Sequence, residues 1–510
     1  MSIPPIAALQ PNRKALILPG GGMRVAYQAG AIQALYRAGL RFSYADATSG
    51  GIFNLSALMS GLSVEELAVR WRNLRPMDFV SFQSLSAYLR PSKLMAIGDF
   101  AGIERRVFPH LGIKIDNIRS ASNLDATFNV CKFDDKIVHA IPSKDIAIPL
   151  LLAGISLPWV TPPVLYDGCY WTDAVWIKDS NILDVVKKGA NEIWIIWCIG
   201  NTEDYLPGWL NQYVHMIEMS AVGALNAELA RIQEFNNLIK KGRKPYGHDQ
   251  PITVHAIRPR YPIPLDWDYL RGKVSGDALV DQGYADASSY LETHDAKGIS
   301  PAISISKMTA PSIGVSFREK MKGFIFYREM DSRFSTNSEV AIPIILNATI
   351  NIRDLQQFCE HSDHRGEMVA HLECPRLGGL LPATKTDFQL FSPTHDANVV
   401  EMVYESGFWH EGQHYFFSGR KSLTKSTPFR LWRDTTTLFV NLHKGNDRSD
   451  PVIATGVLKL SFVGLLSLLA TLHCRDARGI RLRVSALLKF GLFFISNLWM
   501  QYGIRMWRRT

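Results

Sequence analysis

The chain has 510 residues, 47% hydrophobic and 20% charged, which excludes a disordered or fibrous protein and leaves room for two or more globular domains. A formal net charge of +9 suits an anionic partner such as phospholipid headgroups, or a merely soluble basic surface. The six cysteines have no CxxC spacing, so neither a zinc site nor a dense disulfide framework is indicated, and "MSIPPIAALQPNRKALIL" makes a poor secretory signal. A reducing, cytoplasmic setting is expected.

In chain order, residues 15–18 form a short apolar run that reads as a buried strand, and 25–36 as a helix. Residues 42–48 and 52–62 repeat that strand–helix pair. "ATFNVCKF" (126–133) and "EIWIIWCIG" (192–200) read as further buried strands, 207–242 as a long helix, and "PITVHAIRP" (251–259) as a last strand. The fold class expected for 1–298 is α/β, a mostly parallel sheet covered by helices. After about residue 298 the character changes. Residues 299–450 are rich in short β-prone runs, including a hairpin expected to turn near Glu411-Gly412. Residues 451–510 read as an apolar and basic helical tail.

Two turns between strands and helices carry the chemistry. The first is "LPGGGMR", with Gly20, Gly21 and Gly22 after the first strand. A phosphate, a tight turn and an oxyanion are all candidates for three glycines. Phosphate fits poorly, because neither G-x-G-x-x-G nor a P-loop GK[S/T] is present. No nucleic-acid partner is expected. The second turn is "DATSGGIF", where Ser49 stands between a strand and a helix among Ala47, Gly50 and Gly51. A nucleophile elbow needs small neighbours of this kind, because its serine occupies a sharp, strained turn. Backbone amides of the glycines and of Gly50 can then stabilise an oxyanion. Further on, "PPVLYDGCYW" holds Asp167 and Gly168; Asp-Gly by itself is usually a turn.

GGG-x-R after the first strand, the serine elbow, the later P-P-V…D-G and "ALVDQGYADASSYL" together resemble the patatin-like phospholipases over roughly residues 14–292. The resemblance implies a Ser–Asp dyad: Ser49 as nucleophile, Asp167 as general base, Gly20, Gly21, Gly22 and Gly50 as the oxyanion hole. It makes Arg24, Ala47, Gly51 and Gly168 supporting residues. The implied activity is serine lipid acyl hydrolysis on a lipid or phospholipid substrate, with no cofactor and no metal. An acyltransferase with the same nucleophile and a non-catalytic lipid-binding protein are the alternatives. Ala47 departs from the family's first elbow glycine and Cys169 from its usual Gly or Ala. To act as a base, Asp167 needs burial, expected near Val164, Leu165 and Trp171.

Residues 313–503 resemble an accessory module attached to some bacterial glucose-methanol-choline and cholesterol-oxidase-like oxidoreductases, without their flavin fingerprint. In the tail, 456–472 and 484–503 are strongly apolar, with Arg475, Arg478, Arg481 and Arg483 between them and Arg505, Arg508 and Arg509 after. A two-span hairpin would place these basic clusters on opposite faces, against the positive-inside tendency. In-plane contact with an anionic membrane, peripheral on the inner surface, and packing on the β-rich module are the leading readings, with a true span last because the apolar runs are short or interrupted by charge.

Overall fold

The computed structural model describes residues 13–89, 94–199, 205, 207–259, 263, 269–294, 298–299, 312–327, 340–477 and 479–503. The chain divides into two compact units, residues 1–309 and 310–510.

In the first unit the sheet contains β1 (Lys14–Leu18), β2 (Tyr44–Ala47), β3 (Asp125–Lys132), β4 (Val138–Pro142), β5 (Val164–Tyr166), β6 (Cys169–Asp173), β7 (Glu192–Ile196) and β8 (Thr253–Ile257). Its order is β5-β6-β3-β2-β1-β7-β8, with β4 added to β3. The β3–β2–β1–β7–β8 pairings are parallel, and β4, β5 and β6 join antiparallel. The mostly parallel sheet expected from the sequence is therefore present. Its strands read as unbroken apolar runs because both faces are covered: Leu16 and Leu18 of β1 enter one core, Ala15 and Ile17 the other.

Helices α1 (Ala26–Arg37), α2 (Gly51–Met59), α3 (Val64–Asn73), α4 (Trp209–Lys240) and α5 (Gly276–Thr293) cover the sheet. The small residues along α1 have a packing role. A Cβ at Gly30 would lie 1.9 Å from the Val280 carbonyl, and one at Gly283 1.9 Å from the Tyr27 carbonyl. Helices α1 and α5 thus meet backbone to backbone, which a larger residue at either position would prevent.

The second unit is a closed antiparallel barrel. Strands β9 (Gly314–Tyr327), β10 (Val340–Ile352), β11 (Arg365–Cys374), β12 (Gly379–Pro393), β13 (Val399–His410), β14 (Gln413–Thr424), β15 (Thr437–Lys444) and β16 (Val452–Lys459) pair each with the next. Pairing of β16 with residues 322–327 of β9 closes the ring, and β17 (His473–Arg475) adds to the start of β9. Closure removes the exposed edges that an eight-strand meander would otherwise present. The β13–β14 turn falls at Glu411 and Gly412, both at positive φ (48° and 75°), as a two-residue hairpin requires.

The expected separation of 451–510 as a helical tail is corrected here. Residues 452–459 are a barrel strand, because the apolar run that looked helical begins with a core-facing alternation ending at Leu458. Helix α6 (Phe462–Thr471) starts only where the Ser461 hydroxyl accepts the Gly464 amide hydrogen bond. Helix α7 (Ile480–Tyr502) packs Ala486, Phe490 and Tyr502 into the barrel's core. Arg478, Arg505, Arg508 and Arg509 lie outside the described residues.

The barrel also buries an ion pair that the sequence reading did not anticipate. Glu319 follows the same core-facing alternation as Phe317 and Met321, and Lys421 that of Phe417 and Leu423. Lys421 Nζ donates to Glu319 Oε1 at 2.6 Å, and the Tyr404 hydroxyl donates to Glu319 Oε2 at 2.7 Å. Burial, then the charge and hydrogen bond of Glu319, push the Tyr404 phenol well above its ordinary pKa. Removing one member leaves the other buried with only the Tyr404 hydroxyl as partner and no counter-charge. Lys421→Met is therefore expected to destabilise the second unit by about 3–5 kcal/mol, whereas Glu319→Leu with Lys421→Leu and Tyr404→Phe, which leaves no polar group of the cluster unpaired, restores most of that. Denaturant titration of the variants checks both.

Candidate active site

The elbow forms where β2 runs into α2. Ser49 has φ 51° and is buried, and Gly50 caps the helix. A left-handed serine costs about 1–3 kcal/mol and persists only when its surroundings dictate it. Here the Thr48 amide donates to the Leu18 carbonyl at 3.1 Å, and the Gly51 amide to the Thr48 carbonyl at 3.0 Å. Asn129 Nδ2 donates to the Ala47 carbonyl at 3.1 Å and the Thr48 hydroxyl at 2.9 Å. Ala47 itself is fully buried, so its methyl is absorbed by the core. A Cβ at Gly51 would fall 2.0 Å from the Leu18 carbonyl, and one at Gly50 2.6 Å from that of Gly22. These approaches explain why only small residues follow the serine.

The glycine loop lies directly beside the serine. A Cβ at Gly20 would lie 2.7 Å from Ser49 Cβ and 3.1 Å from its Oγ. Three side chains hold the loop. The Gly20 amide donates to Asp179 Oδ1 at 2.9 Å, Cys198 Sγ donates to the Gly20 carbonyl at 3.2 Å, and Arg24 Nε donates to the Gly21 carbonyl at 3.1 Å. Arg24 is buried, as a residue holding the loop should be. The expected oxyanion role of Gly20 is corrected, since its amide is already committed to Asp179. Among the described residues the amides of Gly21, Gly22 and Gly50 donate to no protein group. Gly22 N lies 3.1 Å from where a Gly50 Cβ would stand, so the loop and the elbow meet there.

The carboxylate is also corrected. Asp167 and Gly168 form the exposed two-residue turn between β5 and β6, at φ 49° and 73°. Leu165 beside them is 60% exposed, so the expected apolar enclosure is absent there. A Cβ at Gly168 would meet nothing within 4 Å, so it supports nothing at the elbow. Asp173 ends β6, six residues and roughly 20 Å of extended chain further on. It is fully buried, paired with Val130 of β3, and its amide donates to the Ser156 carbonyl at 3.1 Å. Asp173 Oδ1 accepts the Val175 amide at 2.9 Å. The Ser49 hydroxyl reaches the Asp173 carboxylate, but Oδ2 has no well-aligned hydrogen bond; such contacts commonly tighten only when substrate is bound. Burial first, and the neighbouring Asp179 second, push the Asp173 pKa well above the ordinary carboxylate range, against the Ser49 and Val175 hydrogen bonds.

Two further buried carboxylates were missed. Asp46, beneath the elbow, accepts Thr127 Oγ1 and Asn129 Nδ2, each at 2.6 Å, and burial raises it to about 7. Burial likewise raises Asp179 to about 7, with Asp46 adding to the effect. Among the described residues no group of three or more His, Cys, Asp or Glu side chains is placed to hold a metal ion.

Residues 16–186 match the patatin-like phospholipase family. That span runs from β1 past Ser49, Asp173 and Asp179, so residues 16–186 form a patatin-like phospholipase domain. No curated protein sequence matches the chain. Among solved structures, VipD from Legionella pneumophila is similar over 55% of this chain and 67% of its own, at 11% identity and a TM-score of 0.26.

Proposed function

We propose that the chain is a serine lipid acyl hydrolase whose dyad is Ser49 and Asp173. Ser49 Oγ attacks the ester carbonyl carbon while Asp173 Oδ2 takes its proton. The amides of Gly21, Gly22 and Gly50 receive the developing oxyanion. Collapse breaks the ester C–O bond, and the leaving alkoxide takes the proton back from Asp173. Water, deprotonated by the same carboxylate, then attacks the acyl-enzyme and releases the fatty acid and Ser49. The observation that carries this reading is the strained, buried Ser49 within reach of the buried Asp173 carboxylate, one oxygen of which has no aligned partner, beside a loop whose Gly21 and Gly22 amides donate to no protein group among the described residues. Incubation with mixed phospholipid vesicles, with and without added acceptor alcohols, tests it. Free fatty acid in both conditions supports a hydrolase. Ester products with the added alcohol identify an acyltransferase, and no product in either condition favours a lipid-binding protein.

We further propose that the second unit meets an anionic membrane in plane. Helix α7 is 23 residues long and apolar, and most of its side chains lie outside the core. Its inner face enters the barrel core, while Val484, Leu488, Leu492, Ile495 and Trp499 form an exposed apolar stripe flanked by Arg481, Arg483 and Lys489. Phe462, Val463, Leu466 and Leu469 extend exposed apolar surface onto α6. An interfacial helix has this pattern of apolar stripe and basic flank. Leu488→Asp with Leu492→Asp is expected to weaken binding to anionic vesicles roughly 10²–10⁴-fold, from the loss of about 1.5–3 kcal/mol for each of the two leucines. Vesicle sedimentation measures it; unchanged binding removes this surface from consideration.

A further inference from the structure

We infer that Asp179 is a positioning residue for the oxyanion loop, an inference that rests on the hydrolase reading above. Three adjacent glycines have more backbone freedom than any other tripeptide, so the direction of their amides must be imposed from outside. Asp179 imposes it at the loop's first amide, through the 2.9 Å bond from Gly20 to Oδ1. The same spot faces the nucleophile: the position of a Gly20 Cβ is 2.9 Å from Asp179 Oδ1 and 3.1 Å from Ser49 Oγ. Asp179 is fully buried, and its Oδ2 has no protein partner among the described residues, so its one bond is to the loop. Asp179 does not serve Ser49 as base, because that hydroxyl faces Asp173.

The connection that carries Asp179 is braced. It leaves Asp173 through the short turn of helix Ala174–Trp176, and the Lys178 amide donates to the Ala174 carbonyl at 2.8 Å. Lys178 Nζ pairs with Glu228 of α4 at 3.1 Å, and Ser220 Oγ of α4 donates to the Val175 and Trp176 carbonyls at 3.0 and 2.7 Å. One stiff segment therefore sets both the base, at its first residue, and the loop's anchor, at its seventh. The charged groups acting on Asp179 are Asp46 and Asp173. A carbonyl oxygen is all that the bond to Gly20 needs, so the geometry requires an acceptor at this position and not a charge.

The test compares Asp179→Ala with Asp179→Asn in the full chain, on a soluble short-chain aryl ester. Alanine is expected to lower kcat roughly 10²–10³-fold, the scale of a lost oxyanion interaction, with KM within about twofold. Asparagine, which keeps the acceptor, is expected to stay within about tenfold of the parent kcat. A normal kcat in Asp179→Ala, or equal loss in both variants, overturns the inference. A second readout needs no turnover: hydrogen exchange of the peptide containing Gly20–Gly22 is expected to quicken in Asp179→Ala and not in Asp179→Asn. An inactive parent protein with this exchange pattern would count against the hydrolase reading and keep the anchor; unchanged exchange in Asp179→Ala removes the anchor. If the alanine variant does not fold, Asp179→Ser, whose hydroxyl is too short to reach Gly20, replaces it in both measurements.

Discussion

Asp173→Asn is expected to lower kcat/KM for ester hydrolysis roughly 10⁴-fold, close to the loss for Ser49→Ala, while Asp167→Asn leaves it within about twofold. The asparagine keeps the shape of the side chain, its place at the end of β6 and an acceptor for the Val175 amide. It removes only the capacity to take the Ser49 proton. An ordinary aspartate, titrating near about 3.9, is a feeble base at neutral pH. Burial of Asp173 raises its pKa and so its basicity. The sign for activity follows. The carboxylate must be ionised to act, so kcat/KM should be low below the raised pKa and climb as pH rises through it. The acid limb of the pH–rate profile should therefore lie well above the ordinary aspartate range. A limb near the unperturbed value would count against Asp173 as the base.

The second large effect is expected at Gly20. A methyl group there would press to within 2.7 Å of Ser49 Cβ, 2.9 Å of Asp179 Oδ1 and 3.1 Å of Ser49 Oγ. None of these atoms is the end of a long flexible side chain that could swing away. Gly20→Ala should displace the serine, the loop, or both, and a shift of about 1 Å at reacting groups costs on the order of 10²-fold in rate. With the oxyanion amides also moved, the expected loss in kcat is roughly 10²–10⁴-fold. Circular dichroism and the melting temperature should stay close to those of the parent. Activity within tenfold of the parent would show that the loop lies further from the chemistry than the structure places it.

The parts of the site that were legible in sequence are those written in consecutive residues. Small residues around Ser49 and three glycines after β1 are local demands of a tight turn and of close backbone approach. Their consequences appear at Gly20, Gly50 and Gly51 as near-collisions with neighbouring backbone and with the serine. The carboxylate of the proposed dyad is a different kind of feature. Asp173 reaches Ser49 because β6 pairs with β3 and β3 with β2, a chain of long-range pairings that no local pattern records. Asp167 drew the assignment because a glycine follows it, but that glycine serves a hairpin. Asp179 and Asp46 were missed for the same reason: each matters through a partner far away in the sequence.

The second unit shows the same division. Its β-prone runs and the Glu411-Gly412 turn could be read locally, and so could a change of character near residue 298. Closure of the barrel could not, because it depends on β16 finding β9. The run 456–472 was misread because strand and helix share one apolar composition there, and the switch between them is signalled only by the capping Ser461.

The most direct test of the dyad is the rate of fluorophosphonate labelling, with the adduct mapped by mass spectrometry, in the parent chain and in Ser49→Ala, Asp173→Asn and Asp167→Asn. The account predicts an adduct on Ser49 in the parent, none in Ser49→Ala, labelling slowed by orders of magnitude in Asp173→Asn, and an unchanged rate in Asp167→Asn. No adduct on Ser49, or a rate that depends on Asp167 and not on Asp173, would contradict it.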